Sequence, residues 1–231
     1  MSLYLLLDLA SISIPLLYSF NKSMYFIRWW KAVFLSIAIT AVIFIIWDII
    51  FTRNGVWGFN DRYLTGISIL HLPIEEWLFF ICIPYASVFT HYAFQYFFPK
   101  TRLSSKITVA ITLILLLMLL VLAILNYNKA YTFYNFLVLI VLLLYSLITK
   151  QSQLQVFYIT FLIILIPFFI VNGILTGSFI DEQVVWYNNA ENLGIRLGTI
   201  PVEDTAYAFS MLFMTILLIE KFKKYFHHES L

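Results

Sequence analysis

Residues 66–77 read GISILHLPIEEW, and residues 194–205 read GIRLGTIPVEDT. The second segment lies over the first at one constant offset of 128 positions, with no gap. Gly, Ile, Pro and Glu coincide, and Ile/Val, Leu/Ile and Glu/Asp are conservative pairs. Each copy sets two adjacent carboxylates, Glu75-Glu76 and Glu203-Asp204, at the head of a long apolar run. Charges are rare elsewhere in the chain, so a repeat that carries four of them is its main functional clue.

The 231 residues are 62% hydrophobic, 19% aromatic and 11% charged, with a mean hydropathy of +0.92. A soluble domain carries roughly 25% charged residues, so this composition belongs to a membrane protein. The net charge of +2 gives no reason to expect nucleic acid. One cysteine, Cys82, excludes an intramolecular disulfide framework and a cysteine metal cluster. Asp8 interrupts the first apolar run and no basic residue precedes it, which argues against a cleaved signal peptide.

A spanning helix needs about 20 largely apolar residues. Spans are expected near 2–20, 26–52, 75–97, 106–126, 131–148, 154–176 and 202–222. Of the 14 Lys and Arg residues, an outside N-terminus puts Lys22, Arg28, Lys31, Lys100, Arg102, Lys106, Lys150, Lys221, Lys223 and Lys224 inside. Arg53, Arg62, Lys129 and Arg196 are left outside. The excess of positive charge on one side predicts N-out, C-in. The expected fold is therefore an all-α integral membrane protein of seven transmembrane helices. Two parallel three-helix repeats (1–97 and 129–231, the latter with a short basic tail) are joined by a connecting helix within 98–128. An odd connecting helix restores the direction of the second repeat, so both acidic pairs meet the same membrane face, as in transporters built from duplicated halves.

The acids have a plain reading. Proline at the first helical position is favoured, and carboxylates there stabilise the helix dipole by about 0.3–1 kcal/mol. Pro73 and Pro201 at that position put Glu75 and Glu203 third in their helices. One carboxylate would suffice for the dipole, however, and ionisable groups inside a membrane are functional candidates by default. An apolar setting and a second carboxyl both favour the neutral acid, so such a pair can hold one proton and act as general acid and base. Aromatic residues follow directly: Trp77, Phe79, Phe80 and Tyr85 in one copy, Tyr207 and Phe209 in the other. Their faces attract cations. A carboxylic acid between aromatic walls could protonate an alkene and stabilise the carbocation.

Supporting polar groups are Asp48 near the end of span two, Asn172 near the end of span six, and Arg53 and Arg196, which could pair with the acids. Val56-Trp57 and Val185-Trp186 read most simply as interfacial anchors. His91 reads as a hydrogen-bonded residue inside the bundle. No GxGxxG or GxxxxGK[ST] stretch and no HExxH-type site occurs, so neither a nucleotide cofactor nor a metal is expected.

Taken together, Asp48, Trp57-Gly58-Phe59 and Pro73-Ile74-Glu75-Glu76, followed by Asn172-Gly173-Ile174-Leu175-Thr176-Gly177, Gly194-Ile195-Arg196 and Pro201-Val202-Glu203-Asp204, resemble the membrane-integral lycopene cyclase family in its fused two-unit form. The resemblance covers about residues 1–222. Asp204 departs from it where an ideal repeat would carry a second Glu, and Asn172 departs where the first unit has Asp48. The resemblance implies lycopene β-cyclase activity: acid-initiated, non-redox closure of the linear ends of lycopene to β-rings, through γ-carotene to β-carotene. It implies Glu75 and Glu203 as the leading proton-handling residues, with Glu76 and Asp204 as their partners. Asp48, Trp57, Trp77, Phe80, Asn172, Arg196 and Tyr207 would bind substrate or support the acids. The expected partners are lycopene and other carotenoids drawn from the bilayer, membrane lipids and other carotenoid enzymes. The expected location is a bacterial inner membrane. Two readings from other classes compete: a small proton-coupled transporter, and a non-catalytic carotenoid- or lipid-binding protein. The charge asymmetry makes its own prediction: a reporter fused to the C-terminus is active on the cytoplasmic side, and activity on the outer side would reverse the orientation.

Overall fold

The computed structural model describes residues 2–228. Among them the chain forms seven α-helices: α1 (Leu3–Tyr18), α2 (Trp30–Arg53), α3 (Ile74–Phe97), α4 (Ser105–Leu125), α5 (Ala130–Thr149), α6 (Gln151–Leu175) and α7 (Val202–His228). Hydrocarbon offers no hydrogen bonds to a peptide group, so helices that satisfy their own backbone are the natural state of such apolar runs. Six apolar stretches are long enough to cross a membrane, which fits a multi-pass membrane protein. The shortest helix, α1, has 16 residues and reaches about 24 Å at 1.5 Å per residue, less than the ~30 Å hydrocarbon core. Span one is thus shorter than the sequence predicts. The Asn126–Lys129 break is a turn, closed by the Lys129 N–H donating to the Asn126 carbonyl at 3.0 Å.

Two compact units are present. In one, α1 and α2 pack on α3, and the part of α7 from Met211 onward completes it. Its core holds Phe26, Phe44, Phe80, Tyr85 and Ile219. Helix association in lipid gains little from the hydrophobic effect and rests on packing and hydrogen bonds. Both are visible at the basic end of α7. The Lys223 Nζ lies 3.8 Å from the Trp29 ring centroid, 3.9 Å from that of Tyr92 and 2.9 Å from Glu220. The Tyr92 hydroxyl donates to the same Glu220 carboxylate at 2.6 Å. His91 is buried and hydrogen-bonded to Gln95 at 2.7 Å, as its place in the sequence suggests.

The other unit, Lys100–Ser210, packs α4, α5 and α6 against one another and contains the head of α7. Leu143, Leu154, Phe157 and Phe209 are buried there, and Thr112 is hydrogen-bonded to Tyr158 at 2.7 Å. Along α4, Leu113, Ile114, Leu117, Ile124 and Leu125 are exposed, as suits a helix bordered by hydrocarbon. Helix α4, within the expected connecting segment 98–128, packs on α5 and α6.

Six short strands were not foreseen: β1 (Trp57–Phe59), β2 (Ser68–Ile69), β3 (Leu72–Pro73), β4 (Val185–Tyr187), β5 (Arg196–Leu197) and β6 (Ile200–Pro201). Strands β2 and β3 form a hairpin pairing Ser68 with Pro73, and β5 and β6 form one pairing Arg196 with Pro201. Each hairpin leads straight into a helix. The Ile74 N–H donates to the Ile67 carbonyl at 2.9 Å, and the Val202 N–H to the Ile195 carbonyl at 3.0 Å. Pro73 is extended at φ −63°, ψ 149° and caps α3 rather than opening it. Both helices begin one residue after the proline, which moves Glu75 and Glu203 to the second helical position and Glu76 and Asp204 to the third. A strand pairing decides the start, and the proline ends the strand.

The first hairpin turns on Leu70 (φ 54°) and His71 (φ 70°), both left-handed without being glycine; the second has Gly198 at φ 67° in the place of Leu70. Positive φ at both central residues is the type I′ geometry that Asn-Gly adopts readily. Left-handed backbone costs an ordinary residue about 1–2 kcal/mol. Replacing Leu70-His71 by Asn-Gly is expected to raise the thermal midpoint of the detergent-solubilised protein, and a lower midpoint would refute the strain.

Candidate functional site

In the first unit the hairpin and α1 meet the head of α3, and the acids are held between them. Glu75 is fully buried. Its Oε1 accepts the Ser2 hydroxyl at 2.8 Å and the Thr65 N–H at 2.6 Å, while its Oε2 has no hydrogen-bond partner. Glu76 accepts the Tyr4 hydroxyl on Oε2 at 2.5 Å. The donors to Glu75 come from α1 and the loop, not from the first turn of α3. The hydrogen bonds that hold these carboxylates therefore do not cap the helix. The Ser2 hydroxyl also accepts the Leu5 N–H, so the residue that starts α1 is the one that reaches Glu75.

Asp48 projects from the last turns of α2 and is buried. Its Oδ1 accepts the Trp57 indole N–H and the Thr52 hydroxyl. Its Oδ2 has no donor, and the Glu76 carboxyl stands beside it. Two carboxylates cannot hydrogen-bond each other; one proton shared between them can satisfy both. Trp57 is buried at β1, so it orients Asp48 and is not an interfacial anchor. Trp77 is half-buried and ties α3 to the hairpin through the Ile69 carbonyl at 3.2 Å. Phe80 is buried one turn below Glu76 and meets Phe79 edge to face at 5.6 Å. Tyr85, in contrast, lies nine residues past Glu76, about 14 Å along the helix, hydrogen-bonded to Ser19 and Trp30 and away from the acids.

In the second unit, described by itself, the same kinds of bond recur. Buried Glu203 accepts the Thr132 hydroxyl at 2.6 Å and the Leu193 N–H at 2.7 Å on Oε1, and its Oε2 is unpartnered. Thr65 and Leu193 are 128 positions apart, as are Glu75 and Glu203. Asp204 is better supplied than Glu76. Its Oδ1 accepts the Tyr131 hydroxyl at 2.6 Å, and its Oδ2 accepts the Tyr187 hydroxyl at 3.0 Å and the Asn172 amide at 3.1 Å. Asn172 therefore takes the Asp48-like role beside the second acid, but as a donor. Tyr131 stacks on Tyr187 at 5.8 Å and meets half-buried Tyr207 at 6.5 Å.

Arg196 serves this site through its neighbours. Its guanidinium donates to the Thr199 carbonyl at 3.1 Å and to Asn189 at 2.8 Å, and lies 5.5 Å from the centroid of the Tyr187 ring. The two Val-Trp dipeptides do not coincide in the strands. Trp57 opens β1 and Val185 opens β4, so Tyr187 occupies the position of Phe59. Trp186 is 38% exposed.

The donors Ser2, Tyr4, Tyr131, Thr132 and Tyr187 were not legible as site residues. The signal was present at a slipped offset: hydroxyls at 2 and 4 precede the acids by about the same distance as those at 131 and 132. Glu191 was missed as well; its carboxylate accepts the Ala130 N–H at 2.9 Å and its carbonyl the Tyr131 N–H at 2.9 Å, so it caps α5.

Buried acids with hydroxyl, indole and amide donors thus stand at or near the ends of long apolar helices of a multi-pass membrane protein. A family profile described as lycopene cyclase matches residues 1–97 and 128–222, and the chain belongs to that family. It is also 44% identical over 67 residues to a bifunctional lycopene cyclase/phytoene synthase of Phycomyces blakesleeanus, an alignment covering 28% of this chain and 11% of the relative. This chain thus spans only a small part of that longer protein. No solved structure matches.

The donor count makes a test. Tyr131→Phe keeps the stacked ring but removes one donor from a buried carboxylate, and is expected to cost about 1–3 kcal/mol of stability. Thermal unfolding in detergent measures it, and an unchanged midpoint would mean that the Asp204 contact contributes nothing.

Proposed function

We propose that this protein is a lycopene β-cyclase, an intramolecular lyase of the isomerase class that takes lycopene from the bilayer and closes its linear ends to β-rings, by way of γ-carotene to β-carotene. The observation that carries the reading is the pair of fully buried glutamates, Glu75 and Glu203, each held by one oxygen with the other oxygen unpartnered. Family membership supplies the substrate class.

A carboxylic acid gives its proton to C2 of the terminal C1=C2 alkene, leaving the cation on C1. The C5=C6 alkene attacks C1, the C1–C6 bond forms and the charge passes to C5. A carboxylate then removes the proton from C6, and the new C5=C6 double bond completes the ring. One proton enters and one leaves, so the product is an isomer of the substrate and the balance needs no oxidant, reductant or nucleotide. Glu75 and Glu203 lead the proton handling. Glu76 and Asp204 partner them, with Asp48, Trp57, Asn172 and Arg196 orienting the partners. Phe80, Trp77 and Tyr207 supply aromatic faces that favour a cation. A buried acid exerts its effect where water does not compete, which strengthens every electrostatic contact.

The same reading takes the chain as two parallel three-helix repeats with α4 as the connecting span, N-terminus out and C-terminus in, in a bacterial inner membrane. The hairpin registers, the Ile74 and Val202 amide bonds and the Thr65 and Leu193 amide bonds, each recurring 128 positions on, support the repeat. The fungal relative joins a lycopene cyclase to a phytoene synthase in its name, which supports an association with other carotenoid enzymes. A proton-coupled transporter would also use buried acids, but family membership favours the cyclase over it, and a passive binder leaves the acids without a purpose.

Expression in a lycopene-accumulating host is expected to yield cyclic carotenes on chromatography, and unchanged lycopene with folded protein in the membrane would refute the activity. Glu75→Gln and Glu203→Gln are each expected to lower cyclisation by about 100-fold or more while folding persists. Full activity in both would return these residues to a structural role.

A further inference from the structure

The two hairpins expose apolar side chains in the same pattern. Ile67 and Ile69 are 59% and 44% exposed, and their partners 128 positions on, Ile195 and Leu197, are 57% and 41% exposed. The residues around them have changed: Ser68 corresponds to Arg196, Leu70 to Gly198 and His71 to Thr199. Leu70 is exposed as well, and it occupies a left-handed position that glycine takes without strain. Single exposed apolar residues are ordinary on a surface in water, but an apolar patch that recurs marks an interaction site.

The polarity of the second hairpin is inverted. Side chains alternate along an extended strand, so Arg196 points away from the side taken by Ile195 and Leu197. It is half-buried, donating to the Thr199 carbonyl and to Asn189 and lying over the Tyr187 ring. The charged side chain thus packs on the protein and the apolar ones face outward, the reverse of a sheet that is solvated on one side.

The hairpin carbonyls are also supplied from within the chain. That of Ile67 accepts the Ile74 N–H, and that of Ile195 accepts the Val202 N–H. The Ile69 carbonyl accepts the Trp77 indole N–H at 3.2 Å. Main chain that borders hydrocarbon needs such donors, because no water provides them. Beyond Trp77, exposed Ile81 lies one turn further along the same face of α3. The outer side of the first hairpin therefore continues into the exposed side of a helix long and apolar enough to span a membrane.

We propose that both hairpins are embedded in the bilayer, with Ile67, Ile69, Leu70, Ile195 and Leu197 in contact with lipid acyl chains. Apolar faces of interfacial elements sit about 5–10 Å into the boundary between headgroups and acyl chains. Trp77 belongs at that level, where indoles are favoured. Glu75 and Glu203 each follow two residues after a hairpin, so both lie below the headgroup layer. Lipid contact of this kind is independent of the reaction that the acids perform.

The test uses the full chain reconstituted in phosphatidylcholine vesicles, with a nitroxide label on Ile69→Cys, Leu70→Cys, Ile195→Cys or Leu197→Cys. Asp61→Cys, at an exposed acid ahead of the first hairpin, serves for comparison. Wild type, whose one cysteine Cys82 is buried, is the blank. Collisions of the label with oxygen, which concentrates in hydrocarbon, are measured against collisions with a water-soluble nickel chelate. The hairpin labels are expected to favour oxygen over nickel several-fold more strongly than the Asp61→Cys label. Hairpin labels as open to nickel as that one would place the hairpins in water and overturn the proposal. So would labels shielded from both reagents, since that marks a protein covering, whether a second copy or another enzyme. Two sites in each hairpin keep the answer readable if one substitution prevents folding.

Discussion

A carboxyl group inside a protein surrounded by hydrocarbon must find its hydrogen-bond donors within the chain, because no water is there to provide them. Much of the architecture answers that constraint. The hairpins bring the Thr65 and Leu193 amides within reach of Glu75 and Glu203. Helices α1 and α5 begin so that hydroxyls at Ser2, Tyr4, Tyr131 and Thr132 meet the same acids. The carboxylates thereby act as the pins that hold α1 against α3 and α5 against the head of α7.

Helix number and type were legible in the sequence because apolar runs near the thickness of a bilayer have one stable backbone solution. The acid pairs were legible because charge is rare there and the same spacing occurs twice. The hairpins were not, since two-residue strands leave no alternation to detect, and Leu70-His71 is not a sequence that announces a left-handed turn. Proline was read as opening a helix when it closes a strand, a difference of one residue that moves each acid by 100° around its axis. The donors escaped for a different reason. Ser, Thr and Tyr are ordinary at helix starts, and only the fold brings Tyr4 to Glu76 across 72 positions.

The two units meet the same constraint unequally. Asp204 has three donors, two phenols and an amide, and every one of them favours a carboxylate that accepts. Glu76 has one phenol and another carboxyl for company. An amide at Asn172, where the first unit has the acid Asp48, accounts for much of the difference. A pattern of matching backbone bonds therefore carries side chains with divergent chemistry.

The amide donors have a consequence for how such a chain can vary. A hydroxyl donor is lost by a single change at Ser2 or Thr132, but a peptide N–H is present whatever side chain the residue bears, and proline alone removes it. Thr65 and Leu193 are chemically unlike, yet each supplies its glutamate with the same bond at nearly the same length. Half of each acid's anchoring is thus written in the path of the main chain. Two units can drift far apart in composition and keep their glutamates aimed, so long as the loops before the hairpins keep their course.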